Sequence, residues 1–248
     1  MRDETIIRLL DLNKQFYQTF AEQFAETRGR LQPGVLRSLS NVPQKASIVD
    51  LGCGIGEVAN ELNRLGHDGF YLGMDSSDAL LSIARGRCEH PLAQFQLTDF
   101  IDPSWAGGLL SYAQRFGVTS FERVLAFATL HHLPSRAFRS RVLDQLTKLL
   151  AKGGQFIHSN WNFMSSPRLR ARVIPWSEID LDESDVENGD YLLDWRRGGY
   201  GLRYVHHFSD EELHKLASSA GFHVVETYYM DGEGGRLGLY QVWEKTKM

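Results

Sequence analysis

Three aspartates and a run of glycines carry the most legible chemistry in this chain. Asp50 precedes Gly52-Cys53-Gly54-Ile55-Gly56, Asp75 closes "GMD" before Ser76, and Asp99 with Phe100 ends "LTDF". Glycines placed directly after an apolar run allow φ > 0 and let a ligand press against main chain, while a following helix offers free N–H groups. A dinucleotide fingerprint counted from Gly52 requires glycine at 57, where Glu57 stands, and no Gly-Lys-Ser/Thr of a P-loop follows. The carboxylate of Asp50 would repel a phosphate and suits an ammonium group. Asp75 can accept hydrogen bonds from ribose hydroxyls. Asp99 offers an acceptor for an exocyclic amine, and Phe100 offers a ring for a base. Each aspartate alone reads as a helix N-cap. Together, at three successive strand ends, they outline S-adenosylmethionine, with Gly52, Cys53, Gly54, Gly56, Ser76 and Phe127 as further cofactor candidates.

Such residues need elements that bring them to one edge. The segments 46–51, 69–75, 93–99, 121–129 and 155–161 read as strands, and 56–66, 77–87 and 136–154 as helices between them. That alternation predicts a parallel sheet covered by helices on both faces, a Rossmann-like α/β fold. Helix 209–221, strand 222–230, the turn "DGEGG" and strand 236–245 predict a closing antiparallel hairpin. The whole, 1–248, is expected to form a single domain: an N-terminal helical lid (1–40), a cofactor-binding core (41–161), a substrate-region insertion (162–205), and a C-terminal helix and hairpin (206–248). A helical pattern covers 3–28, whereas 162–205 reads as long, polar and irregular. Connections of that length are usually functional or disordered.

The ordered motifs "VDLGCGIGE", "GMDSS", "LTDF", and "HHLPS" followed by "LLAKGG" resemble those of the class I S-adenosylmethionine-dependent methyltransferases across residues 46–245. The resemblance implies a seven-stranded sheet that ends in the hairpin. "FERV" (121–124) departs from it, because relatives commonly carry an aspartate at the start of strand four. A narrower resemblance touches both ends of the chain. "FYQTFAEQFAETRGRLQPG", "GDYLLDW", "LRYVHHFSDEEL" and "YYMDG" are similar to segments of the eukaryotic-type wobble-uridine tRNA methyltransferases, which esterify a carboxymethyl group on the base. It implies a tRNA acceptor and a small zinc-containing activator subunit. Two departures are Gln32-Pro33 in place of Trp-Pro, and a Gly-Gly-Tyr-Gly run after the arginines of "WRR".

Methyl transfer from a sulfonium is an in-line displacement, so the protein has to align a nucleophile and exclude water. A carboxylate nucleophile is already ionised and needs an orienting cation; Arg203 is the candidate, because guanidinium binds carboxylates bidentately. Its alternative is a surface ion pair with the acidic stretch 178–190. A hydroxyl or amine acceptor would instead need a base, for which His132 or His206 is suited. His131, His132, His206 and His207 have no cysteine or carboxylate at ligand spacing, so no metal site is expected. Tyr17, Phe24 and Arg28 share one helical stripe. They form either a docked helix or a lid on the cofactor, with Tyr17 and Arg28 as contacts and Arg28 near the cofactor carboxylate.

The charge balance of −4 gives no global attraction to nucleic acid, so RNA binding would rest on the local basic runs "PRLRAR" and "WRRGG". An acidic run, "EIDLDESDVENGD", lies between them. Two cysteines, Cys53 inside the glycine loop and Cys88, point to a reducing compartment. The start "MRDETIIRLL" shows no signal pattern and no apolar run nears the roughly 18 residues of a membrane span, so a cytoplasmic protein with no membrane partner is expected. Besides a modified uridine in tRNA, a small carboxylate or hydroxylated metabolite remains open as the acceptor, as does a cofactor-binding regulator without catalysis.

Overall fold

The computed structural model describes residues 1–27 and 30–246; Arg28 falls outside them. The chain opens with helices α1 (Asp3–Thr19), α2 (Ala21–Thr27) and α3 (Pro33–Leu39). Strands and helices then alternate: β1 (Ile48–Leu51), α4 (Glu57–Arg64), β2 (Tyr71–Asp75), α5 (Asp78–Arg87), β3 (Ala93–Leu97), α6 (Trp105–Gln114), β4 (Phe121–Phe127), α7 (Arg136–Leu149) and β5 (Leu150–Trp161). A short helix α8 (Pro167–Arg170) and strands β6 (Val173–Ile174), β7 (Asp190–Trp195) and β8 (Gly201–His206) follow, before α9 (Asp210–Ser219), β9 (Phe222–Met230) and β10 (Gly238–Lys245).

Seven strands form one sheet in the order β3-β2-β1-β4-β5-β10-β9. β1 to β5 pair in parallel, and β10 runs antiparallel to both β5 and β9, as the alternation and the closing hairpin predict. All four residues of β1 are buried, which is why Ile48, Val49 and Leu51 are apolar on both faces rather than alternating and why Asp50 stands out among them. One face packs Val49, Leu72, Val124, Phe156 and Trp243 against α6, α7 and α9; the other packs Ile48, Tyr71, Leu125 and Ile157 against α3, α4 and α5. Strand order reverses between β1 and β4, so a crevice opens at their carboxyl ends, the usual ligand position in such sheets. No helix among the described residues is long and apolar enough to cross a membrane.

Several boundaries differ from expectation. The helical pattern over 3–28 breaks at Phe20, whose φ of −106° and ψ of 23° separate α1 from α2. Helix α6 was hidden by Gly107 and Gly108, which lower helix propensity. The "LLAKGG" segment mostly extends strand β5, which starts at Leu150. The largest correction concerns 162–205: it is not irregular but contains a second, antiparallel sheet, β6-β7-β8. Helix α1 docks on the edge of that sheet. Asn13 accepts from the Tyr204 N–H at 2.8 Å and donates to its carbonyl at 3.1 Å, so one side chain satisfies an edge strand residue twice.

Candidate active site

The carboxyl ends of β1 to β5 and the second sheet enclose one cavity of about 630 Å³, lined among others by Tyr17, Asp50, Gly52, Cys53, Gly54, Asp75, Ser76, Asp99, Phe100, Phe127, His132 and Arg203. Nearly the whole set of sequence candidates therefore converges. Gly56 does not line it; in a left-handed conformation it caps α4 and packs against Ala84 and Phe95.

At the sheet end the cavity is acidic and short of cations. Gly52 has φ of 73°, and a Cβ there would collide with the Thr129 hydroxyl, so the turn after β1 demands glycine. Asp75 accepts from the Gly54 N–H at 3.0 Å and the Ser77 N–H at 2.9 Å, which ties the glycine loop to β2. Burial still raises its pKa above the usual carboxylate range. Asp50 accepts from the Tyr71 hydroxyl at 2.6 Å. Burial pushes its pKa up to about 6; the Tyr71 bond offsets part of that shift, and the charge of Asp75 adds to it. Among the described residues neither aspartate has a lysine or arginine ion partner. Two buried carboxylates with raised pKa values suit a positively charged ligand, and the sulfonium and ammonium of S-adenosylmethionine fit that donor set. Burial, Asp75 and Asp50 together push the Cys53 thiol well up, so it has no thiolate character. Asp99 sits at the rim, where it accepts from Lys14 at 2.9 Å and from the Ile101 N–H at 3.1 Å; Phe100 packs edge-on against Trp105.

At the opposite end the balance reverses. The Arg203 guanidinium, 4% exposed, lies 4.8, 4.9 and 5.3 Å from the ring centroids of Phe16, Trp161 and Trp195. Among the described residues its Nε has no hydrogen-bond acceptor and no carboxylate pairs with it. The acids expected as its alternative partners are engaged elsewhere: Asp185 with Arg2, Asp180 with Arg8, and Glu187 with Arg139. Asp194, on the neighbouring strand β7, is held by Arg172 at 3.2 Å and Arg196 at 2.6 Å. Cation–π contacts offset part of the cost of burying Arg203 but leave its charge uncompensated.

Between the two ends stands His132. Its Nδ1 lies 3.0 Å from the Tyr204 carbonyl, which places the proton there, so Nε2 accepts from the Tyr17 hydroxyl at 2.8 Å. Phe24 meets Tyr17 edge-on at 5.2 Å, so the stripe survives the break at Phe20. His206 is the candidate placed elsewhere. It is buried outside the cavity, bonded through Nδ1 to Asp190 at 2.6 Å and through Nε2 to Glu212 at 3.0 Å. Burial alone would lower its pKa, but those two carboxylates outweigh burial and raise it. Arg139 completes this network, which fastens β7 and β8 to α7 and α9. Both ring nitrogens of His206 are thus engaged in holding these elements together, and it does not line the cavity.

The basic runs do come together at the mouth, where Arg168, Arg172, Arg196 and Arg197 line the cavity. Residues that sequence reasoning missed are Asn13, Lys14, Asn160 and the aromatic walls Trp161 and Trp195. The one signal for them was position, since Asn160 and Trp161 end a strand whose carboxyl edge faces the crevice.

A family model for a methyltransferase domain matches residues 22–227. An Encephalitozoon cuniculi protein named as a candidate methyltransferase is 28% identical over 216 residues, 86% of this chain and 87% of that protein. The mouse tRNA (carboxymethyluridine(34)-5-O)-methyltransferase ALKBH8 is 28% identical over 185 residues, 72% of this chain but only 25% of the mouse protein. A SAM-dependent methyltransferase of Methanosarcina mazei shares the fold, with a TM-score of 0.64 at 20% identity, covering 88% of this chain and 99% of that one. By its matched domain, its sheet order and its ordered motifs, this chain belongs to the methyltransferase-domain family as a class I member with S-adenosylmethionine as its cofactor.

Proposed function

We propose that the chain methylates the carboxylate of a modified uridine in tRNA, forming an ester. The observation that carries this reading is Arg203, a buried guanidinium with no acid paired to it among the described residues, lining the cavity that Asp50 and Asp75 also line. An anion entering the aromatic walls would complete its charge balance, and a planar carboxylate matches its fork of donors. The cofactor supplies an electrophilic methyl group when bound. Asp50 and Asp75 hold and orient its cationic and ribose parts; Arg203 orients the acceptor; the rings of Trp161 and Trp195 exclude water around the reacting groups. An ionised carboxylate has no proton to lose. Accordingly His132, whose Nε2 is occupied by Tyr17, is assigned to positioning rather than to general-base work.

The nucleic-acid part of the proposal is supported by the arginines at the mouth, suited to phosphates on either side of a base turned into the cavity, and by the activity in the mouse relative's name. The test is incubation with labelled S-adenosylmethionine and an anticodon stem-loop carrying 5-carboxymethyluridine, with unmodified uridine and a metabolite extract in parallel. Label released by mild alkali from the modified stem-loop alone is expected. Label in the extract, or alkali-stable label in RNA, refutes the assignment.

A further inference from the structure

Asn160 is a buried polar residue for which the fold alone gives no complete account. It precedes Trp161, the last residue of β5, is 2% exposed, and lines the cavity that Arg203 also lines. One end of its amide lies 3.1 Å from His158 Nδ1; the other end has no partner among the described residues. The neighbour decides which end is which. His158 is fully buried between Phe156 and Trp243, and burial pushes its pKa down to about 3, so it is a neutral ring with one N–H. Its Nε2 has no partner among the described residues either.

An amide can be turned end for end within the same envelope. With the amide nitrogen towards His158, Nδ1 must be the bare acceptor, and the ring proton on Nε2 is stranded in an apolar enclosure. With the oxygen towards His158, Nδ1–H donates to it and Nε2 keeps only an unused lone pair. An orphaned buried N–H is rarer than an under-used acceptor, and an unmet donor costs about 1–3 kcal/mol. The two orphans differ in their surroundings: between Phe156 and Trp243 no described residue meets a ring proton on Nε2, whereas Asn160 lines the cavity, where an occupant can meet its amide NH2. The second arrangement therefore prevails and leaves that NH2 as a donor for whatever fills the cavity.

We propose that Asn160 is a specificity-determining residue that donates to a carbonyl oxygen of the acceptor. This rests on the carboxymethyluridine reading and narrows it. In a uracil substituted at C5, the C4 carbonyl is adjacent to the carboxymethyl arm. A base whose arm is held by Arg203 can present that oxygen to Asn160. Cytosine has an amine at the same place, so donor would meet donor, and sites built on hydrogen bonds reject such analogues strongly.

The experiment compares kcat/KM for stem-loops carrying 5-carboxymethyluridine or 5-carboxymethylcytidine at one position, using wild type, Asn160→Leu and Asn160→Asp. Wild type is expected to favour the uridine at least a hundredfold. Asn160→Leu should lower turnover of the uridine about tenfold and shrink the preference below threefold. Asn160→Asp keeps an acceptor for His158 Nδ1–H and puts a second acceptor in the cavity, so its preference should shift towards the cytidine. Affinity for S-adenosylhomocysteine by calorimetry should stay within twofold in all three, which also reports that the variants are folded. An undiminished uridine preference in Asn160→Leu overturns the inference, as does loss of S-adenosylhomocysteine binding in both variants. If wild type methylates neither stem-loop, the carboxymethyluridine reading fails and takes the role of Asn160 with it.

Discussion

The two ends of the cavity carry opposite, uncompensated charge. At the carboxyl ends of β1 and β2, Asp50 and Asp75 are buried with no cation paired to them among the described residues; against β5, β7 and β8, Arg203 is buried with no anion paired to it among those residues. A protein built only for stability would pair such groups or leave them out, because an isolated buried charge is among the costliest features of a fold. Keeping them apart sorts the ligands instead. In the proposed reaction a cationic donor is favoured at one end and an anionic acceptor at the other, with the transferred group between them, and the product ester would be neutral and no longer held by Arg203.

The largest way to break this contrast is to remove the acceptor charge. Arg203→Met should lower kcat/KM on the carboxylate acceptor about a thousandfold, keep the S-adenosylmethionine Kd within twofold, and leave Tm unchanged or higher, since a buried unpaired charge has been removed. A fall in Tm with full activity would make Arg203 structural. His206→Leu attacks the seam that joins the acceptor sheet to α7 and α9. It leaves Asp190 and Glu212 without their shared partner and should cost about 3 kcal/mol in denaturant unfolding. The sign of the pH effect follows from the raised pKa of His206: the stability it contributes is fully present below its unfolded pKa and is lost as pH rises through the higher folded value. In the His206→Leu variant that alkaline decline should flatten.

Removing the acidic end has smaller effects because two carboxylates share the work. Asp75→Ala should weaken S-adenosylmethionine binding at least tenfold by calorimetry, and unchanged affinity would refute its role. Since Asp50 without ligand titrates near pH 6, a cationic ligand that requires its ionised form should bind about tenfold more weakly at pH 5 than at pH 7, and Asp50→Asn should remove that dependence. The smallest expected effect sharpens the chemistry. His132→Gln should leave kcat on a carboxylate within about fivefold, because no proton is abstracted; a loss beyond a hundredfold would mean the acceptor is a hydroxyl or an amine.

The cofactor end was far more legible in the sequence than the acceptor end, for a physical reason. Asp50, Asp75 and Asp99 belong to strand–loop–helix units in which side chain and backbone roles are set within a few residues, so spacing alone aligns them. The wall proposed for the acceptor is assembled from Asn160, Trp161, Trp195 and Arg203, with the ring of Phe16 against Arg203, drawn from four elements distant in sequence. The second sheet hid for a related reason: β7 and β8 are short, joined by a five-residue turn rich in arginine and glycine, and their composition reads as loop. That turn also accounts for the unusual Gly-Gly-Tyr-Gly run, because a Cβ at Gly201 would press on the ring of Phe20, and Arg197 there pairs with Glu26 of α2 at 3.2 Å. His206 misled because a histidine pair beside a candidate arginine looks catalytic until its carboxylate partners, from the insertion and from α9, are seen.

The most direct measurement is calorimetric binding of two acceptor stem-loops to the protein saturated with S-adenosylhomocysteine, one bearing the 5-carboxymethyl acid and one its uncharged, similarly shaped amide. Charge sorting by Arg203 requires the acid to bind at least tenfold more tightly than the amide, with the gap closing in Arg203→Met. Equal affinity of the two in the wild-type protein would contradict it.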